Sequence, residues 1–309
     1  MNRRTVGLAG AALALALALA ATRGTPAAQS HAVDGHPDLQ GTWYFGTATP
    51  LERPKEFEGK PFLTSDEATD FERRTAERIA RNQTVHPPEW LDYGTKVGAD
   101  RRTSLIVDPP DGRVPALTPA ARESAARRAQ ERQGPADGPE DLSIGERCLV
   151  FGGGPPILPG PYNNNLQIVQ TPGAVVLHTE MIHDARIVPL DGRAQPPSSV
   201  RFWLGAARGH WEGATLVVET TNFTNKTNFR GSDEQLRVVE RFTAEGPDAL
   251  RYEYTIDNPT AFTRPFTATF TMTRSTEMMY EFACHEGNYG MANILRAARF
   301  SERAGASAR

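Results

Sequence analysis

The chain of 309 residues carries 34 Lys and Arg against 37 Asp and Glu, a formal net charge of −3. That balance excludes the basic excess on which nucleic-acid binders depend, and Arg-rich runs such as 122 to 132 are interleaved with acids and alanines, as solvated helix faces are. Only two cysteines are present, Cys148 and Cys284.

Residues 1–28 have the layout of an export signal: Arg3 and Arg4, an apolar run from Val6 to Ala21, then small residues through Ala27 and Ala28. The run is shorter than the ~20 apolar residues of a membrane span, and no later segment resembles one. The expected mature protein therefore begins near Gln29 and is periplasmic or secreted. General secretion and twin-arginine export both remain open from Arg3-Arg4. Without Arg3, Arg4 and Arg23 the balance is 31 basic against 37 acidic residues, a net of −6. In an exported chain with two distant cysteines, a Cys148–Cys284 disulfide is the simplest expectation.

Residues 29–140 read as an N-terminal strand with peripheral helices. Gly41-Thr-Trp43-Tyr-Phe45 is an aromatic strand signal. Thr64-Ser-Asp-Glu67 has capping-box spacing ahead of a charged segment to Arg81, and Thr118-Pro119 supplies an N-cap and a first-turn proline for a helix ending before Gly134. The loop from Phe151 to Asn165 holds three successive glycines, but no Lys-Ser/Thr follows and no strand-to-helix context surrounds it, so phosphate binding is rejected. A rim or lid loop, with Tyr162 available for polar contact, and an irregular connector are the two readings left.

Residues 141–303 are expected to form a β-meander core, with 304–309 a disordered tail. Leu166–Thr171 and Ala174–Thr179 flank Pro172-Gly173 as a hairpin. Leu250, Tyr252, Tyr254 and Ile256 share one face, and Phe266, Ala268, Phe270 and Met272 share another against threonines 267, 269, 271 and 273. Runs 215–221, 236–243 and 278–283 complete the set. The predicted fold class is mainly β: an antiparallel meander closing into a barrel-like, calycin or lipocalin-like domain, or packing as a sandwich. Gly41-x-Trp43 resembles the lipocalin opening.

Three clusters carry chemistry. In His178-Thr-Glu180-Met-Ile-His183-Asp184-Ala-Arg186, Glu180 and His183 suit an acid/base pair and Arg186 an oxygen-holding cation; His178, Glu180 and His183 are a weaker metal alternative. Gly209-His210-Trp211-Glu212-Gly213 reads as a hairpin turn with Trp211 capping the sheet or facing a ligand, and His210 solvated at its tip. Cys284-His285-Glu286-Gly287-Asn288-Tyr289 reads as a strand end, with His285 and Glu286 as catalytic candidates and Asn288 and Tyr289 as substrate contacts. A thiol at Cys284 activated by His285 is the rival to the disulfide, opposed by the divergent directions of adjacent strand residues. The chain lacks a Gly-x-Ser-x-Gly elbow, a Rossmann fingerprint and a haem Cys-x-x-Cys-His.

Glu180-x-x-His183-x-x-Arg186, Gly209-x-Trp211-Glu212-Gly213-x-Thr215-Leu-Val-Val, Glu240-Arg241-Phe242-Thr243 and Cys284-His285-Glu286-Gly287-Asn288 occur in that order. In this string, over roughly residues 145 to 300, the chain resembles a family of exported bacterial proteins without an assigned activity. The family more often has Asp where this chain has Ala214. The resemblance implies a shared fold and pocket and transfers no chemistry. The function expected from the residues is an exported enzyme acting on a small, partly apolar organic molecule by cofactor-independent acid/base chemistry of lyase, isomerase, cyclase or hydrolase type. The alternative is a non-catalytic periplasmic small-molecule-binding or envelope-associated protein.

Overall fold

A computed structural model describes residues 35–81, 91–131, 134–150, 154–226 and 229–307; the export signal read over residues 1–28 lies outside them. Ten strands form one sheet: β1 (Gly41–Tyr44), β2 (Ile106–Asp108), β3 (Asn165–Thr171), β4 (Ala174–Thr179), β5 (Ala185–Pro189), β6 (Ala206–Glu212), β7 (Thr215–Thr221), β8 (Arg237–Ala244), β9 (Ala249–Asp257) and β10 (Phe266–Ser275). Among the described residues three α-helices accompany them: α1 (Ser65–Arg81), α2 (Pro119–Glu131) and α3 (Tyr289–Ser307). The capping box predicted for α1 is formed, with Thr64 N–H donating to Glu67 Oε2 at 2.8 Å and Glu67 N–H to Thr64 Oγ1 at 3.3 Å. At α2, Thr118 Oγ1 accepts from Ala121 N–H at 3.2 Å.

The strand order is β5-β4-β3-β1-β10-β9-β8-β7-β6, every neighbour antiparallel, with β2 paired to β10 off this path. Register puts the predicted apolar sets on one face: Met272 opposes Leu250, Phe270 opposes Tyr252, and Phe242 opposes Tyr252 from the other side. Leu166, Leu177, Val218, Phe242 and Met272 are fully buried there, each contributing about 1.5–3 kcal/mol of burial. Trp43 lies under the Arg274 guanidinium, 4.4 Å from its ring centroid, and its Nε1–H donates to Leu39 O at 2.8 Å. Gly41 beside it has φ of +123°, a backbone conformation that L side chains rarely adopt.

The sheet rolls until its two ends approach. Arg186 on β5 bonds Glu240 on β8, strands far apart along the path. At the seam, a Cβ on Gly209 of β6 would sit 2.7 Å from Val188 and 2.8 Å from Leu190, so only glycine admits that contact. Nine alternating strands leave β5 and β6 running in the same direction, so an antiparallel ladder cannot join them. Among the described residues no strand pairing links these two edges.

Three sequence expectations change. Met278–Ala283 is not a strand: β10 has β9 along one edge and β1 and β2 along the other, which leaves that neighbour no place for the following segment. Residues 284–288 accordingly form a turn, and α3 follows them, continuing over residues 304–307 of the segment expected to be a disordered tail. Gly209–Glu212 is strand rather than turn, and Gly213-Ala214 alone connects β6 to β7. The expected disulfide between Cys148 and Cys284 is present, with Cα atoms 5.7 Å apart.

Candidate functional site

The β4–β5 connection concentrates the unusual features. Ile182 and His183 have φ of +59° and +48°, a left-handed conformation that costs a β-branched residue about 1–3 kcal/mol unless its surroundings impose it. Here they do. Thr179 N–H donates to Asp184 O at 2.9 Å, Glu180 N–H to Asn165 O at 3.0 Å and His183 N–H to Glu180 O at 3.1 Å, while Met181 and Ile182 are buried. Glu180, only 5% exposed, accepts from Asn165 Nδ2 at 2.8 Å and from Tyr280 N–H at 3.3 Å. Its carboxylate thus fastens the turn to β3 and to the segment after β10.

His183 stands exposed on this turn with Nδ1 3.0 Å from Phe282 O. A carbonyl oxygen only accepts, so Nδ1 carries the proton in this contact, and in the neutral ring Nε2 keeps the lone pair. Phe282 in turn stacks on Tyr162, rings 6.3 Å apart and within 9° of parallel. Cys284, two residues on, is held to Cys148. The segment that fixes the imidazole is therefore covalently anchored.

Asp184 follows directly. Burial pushes its carboxyl up to about 6, against the opposing pull of His183 and Arg186, and its Oδ2 is buried without a partner among the described residues. In the unfolded chain it ionises in the ordinary carboxylate range, so between that range and about pH 6 the folded state holds the extra proton. Stability is present below the window and is lost as pH rises through it. Asp184→Asn is expected to be about 1 kcal/mol more stable than wild type at pH 8, after discounting for partial solvent exposure, and equal to it near pH 4. Urea unfolding at the two pH values measures this, and a variant no more stable at pH 8 would refute the burial argument.

Arg186, expected to hold a substrate oxygen, is committed elsewhere. Its Nη1 and Nη2 donate to Glu240 Oε2 and Oε1 at 2.6 and 2.9 Å; Tyr252 Oη–H donates to Glu240 Oε1 at 2.8 Å and accepts from Ile157 N–H at 2.9 Å. Burial, reinforced by the Glu240 carboxylate, holds the Tyr252 hydroxyl protonated well beyond its usual range. The guanidinium Nε has no hydrogen-bond partner among the described residues. In the described part of the glycine-rich loop, Ile157 is fully buried.

His285 and Glu286 are exposed in the 284–288 turn, and among the described residues no side-chain hydrogen bond or ion pair joins either to Glu180 or His183. Asn288 is structural: its Nδ2 donates to Glu146 O at 3.1 Å and its Oδ1 accepts from Met291 N–H at 3.4 Å, capping α3, whose first residue Tyr289 is 75% exposed. Trp211 points inward from β6 and stacks on His36 at 4.6 Å, with its Nε1 buried and without a hydrogen-bond partner among the described residues. His210 is not at a turn tip; it lies on β6 and its Nε2 is 3.1 Å from Glu212. His178 sits on β4 while Glu180 is consumed by the turn, and among the described residues no three His, Cys, Asp or Glu are grouped to hold a metal ion.

The structure thus links Tyr162 and His183 to Phe282, and Glu180 to Tyr280 of the same segment, while among the described residues no side-chain bond joins His285 or Glu286 to them. Sequence reasoning missed Asp184 as a half-buried acid and Glu240 as the partner of Arg186. The alternation Val238, Glu240, Phe242 carried a signal for the second, since it places a carboxylate in an apolar register.

No family model matches the chain. Neither the curated proteins nor the solved structures contain a match.

Proposed function

We propose that this chain is an exported enzyme that acts on a small, partly apolar organic molecule by cofactor-independent acid/base chemistry at the β4–β5 turn. His183 Nε2 is the base, Asp184 the proton donor, and the Tyr162–Phe282 stack the apolar wall. The observation that carries this reading is the strained His183 backbone together with its donation to Phe282 O, which fixes one tautomer and leaves one basic nitrogen at the surface. Non-glycine residues held in the left-handed region cluster at functional sites. The Cys148–Cys284 disulfide supports a periplasmic or secreted location. The side-chain seam between β5 and β6 supports reading the rolled sheet as a barrel-like, calycin-type scaffold, as does the likeness of Gly41-x-Trp43 to the lipocalin opening.

The second reading is a non-catalytic binding or envelope protein. It is favoured by Glu180 and Arg186, both of which are engaged by protein partners. Incubating the purified protein with a library of small organic acids, esters and carbonyl compounds, with mass-spectrometric detection of products against a heat-inactivated control, separates the two. Conversion of at least one compound is the expected result. Compounds retained in native mass spectra yet unchanged across the library would overturn the enzymatic reading in favour of binding.

A further inference from the structure

The threonine ladder of β10 has no part in the turn chemistry, and it faces outward. Threonines on the outer face of an antiparallel sheet are ordinarily solvated. In this chain the N-terminal segment crosses over them and leaves a groove of about 410 Å³, the size of a small-molecule site. Its floor is the outer face of β9 and β10, with Glu253, Thr269 and Thr271. Thr47, Thr49 and Gly98 form one wall, itself braced by Gly98 N–H donating to Thr49 Oγ1 at 3.3 Å and Ala48 N–H to Lys96 O at 2.8 Å.

The charges decide what fits. Three carboxylates and two guanidiniums line the groove. Asp100 is taken by Arg102 at 2.6 Å and Glu245 by Arg251 at 3.5 Å. Glu253 is the carboxylate for which no hydrogen bond or ion pair is formed among the described residues. Its cross-strand neighbour Arg241 is bound to Glu212 at 2.6 Å, and its other neighbour, Thr269, donates to Tyr252 O at 3.1 Å. An apolar ligand would strand these charges, and an anion would meet a net negative lining. No three ligating residues are grouped for a metal among the described residues.

We propose that this groove is a second ligand site, separate from the β4–β5 turn, for a saccharide-sized molecule whose hydroxyls face the threonines and whose strongest donor faces Glu253. An amine at that position gains a charge-assisted hydrogen bond, so an amino sugar binds better than a neutral sugar, and a sugar acid binds worst.

The test is an amide NMR titration of the full mature chain with glucosamine, glucose and glucuronate. Glucosamine is expected to shift the amides of Thr47, Thr49, Thr269 and Thr271 with the tightest affinity. Glu253→Gln, half-buried and outside any ion pair, is expected to keep a dispersed spectrum and to weaken glucosamine about tenfold while changing glucose little, the fold-change of one charge-assisted bond. The proposal fails if neither glucosamine nor glucose moves the groove amides at roughly 50 mM, well above a millimolar dissociation constant. It fails equally if Glu253→Gln leaves the ratio of glucosamine to glucose affinity unchanged.

Discussion

Glu240→Ala is expected to lower stability by about 3–5 kcal/mol, enough to remove a large part of what holds a domain of this size folded. The Glu240 side chain is wholly buried and the Arg186 side chain 4% exposed, so neither charge has water as an alternative partner. Deleting the carboxylate strands the guanidinium and takes the acceptor from Tyr252 Oη, whose own bond to Ile157 N–H orders the loop over that end of the sheet. The pair also links β5 to β8 through the interior of the roll, where no ladder connects them. Two further variants separate charge from packing. Glu240→Gln keeps the volume but leaves Arg186 uncompensated, so it should retain most of the loss. The double variant Arg186→Met with Glu240→Leu removes both charges and should recover most of it, because a buried ion pair exchanged for apolar residues of similar volume is often neutral or better. Urea midpoints followed by circular dichroism give the three values. A Glu240→Ala variant within 1 kcal/mol of wild type, on the order of a surface substitution, would show that water reaches this pair.

This network also shows why the sheet was legible and its interior was not. Strands from Leu166 to Thr273 announce themselves by a period of two, a local property that survives without knowledge of neighbours. Which strands face each other across a roll depends on how far the sheet curls, and nothing in the spacing of Arg186 and Glu240 encodes that. The segment 278–283 has strand-like alternation but meets a strand whose edges are taken, so tertiary context overrides its pattern. The helix beyond it was readable: Asn288 as cap and Met291, Leu295 and Ala298 at helical spacing mark it. Reading Cys284–Tyr289 as a strand end hid that signal. At the candidate site Glu180 and His183 were found by residue type. Their roles were not, because a carboxylate that fastens a turn and one that transfers a proton look alike until their partners are known.

His183→Asn is expected to abolish turnover, by about 10²–10⁴-fold, while leaving the fold intact. Asparagine tolerates the left-handed backbone that position 183 adopts, so the substitution keeps the turn and removes only the ring. His183 is exposed and, among the described residues, its single side-chain bond goes to Phe282 O, so stability should stay within about 0.5 kcal/mol of wild type. A loss of activity at unchanged stability assigns the chemistry to the imidazole, since a merely structural residue would move both. The same hypothesis has a readout that needs no substrate. Nitrogen NMR of the labelled ring should report the proton on Nδ1 and an unprotonated Nε2 above the histidine titration range, because the Phe282 carbonyl can accept from Nδ1 but cannot donate to it. Opening the Cys148–Cys284 bridge releases the segment that carries this carbonyl, and the tautomer signal should then broaden toward a mixture. More than a tenth of wild-type turnover in His183→Asn, or an Nε2-protonated ring in the intact protein, would remove His183 as the base and leave Asp184 as a half-buried acid without a catalytic partner.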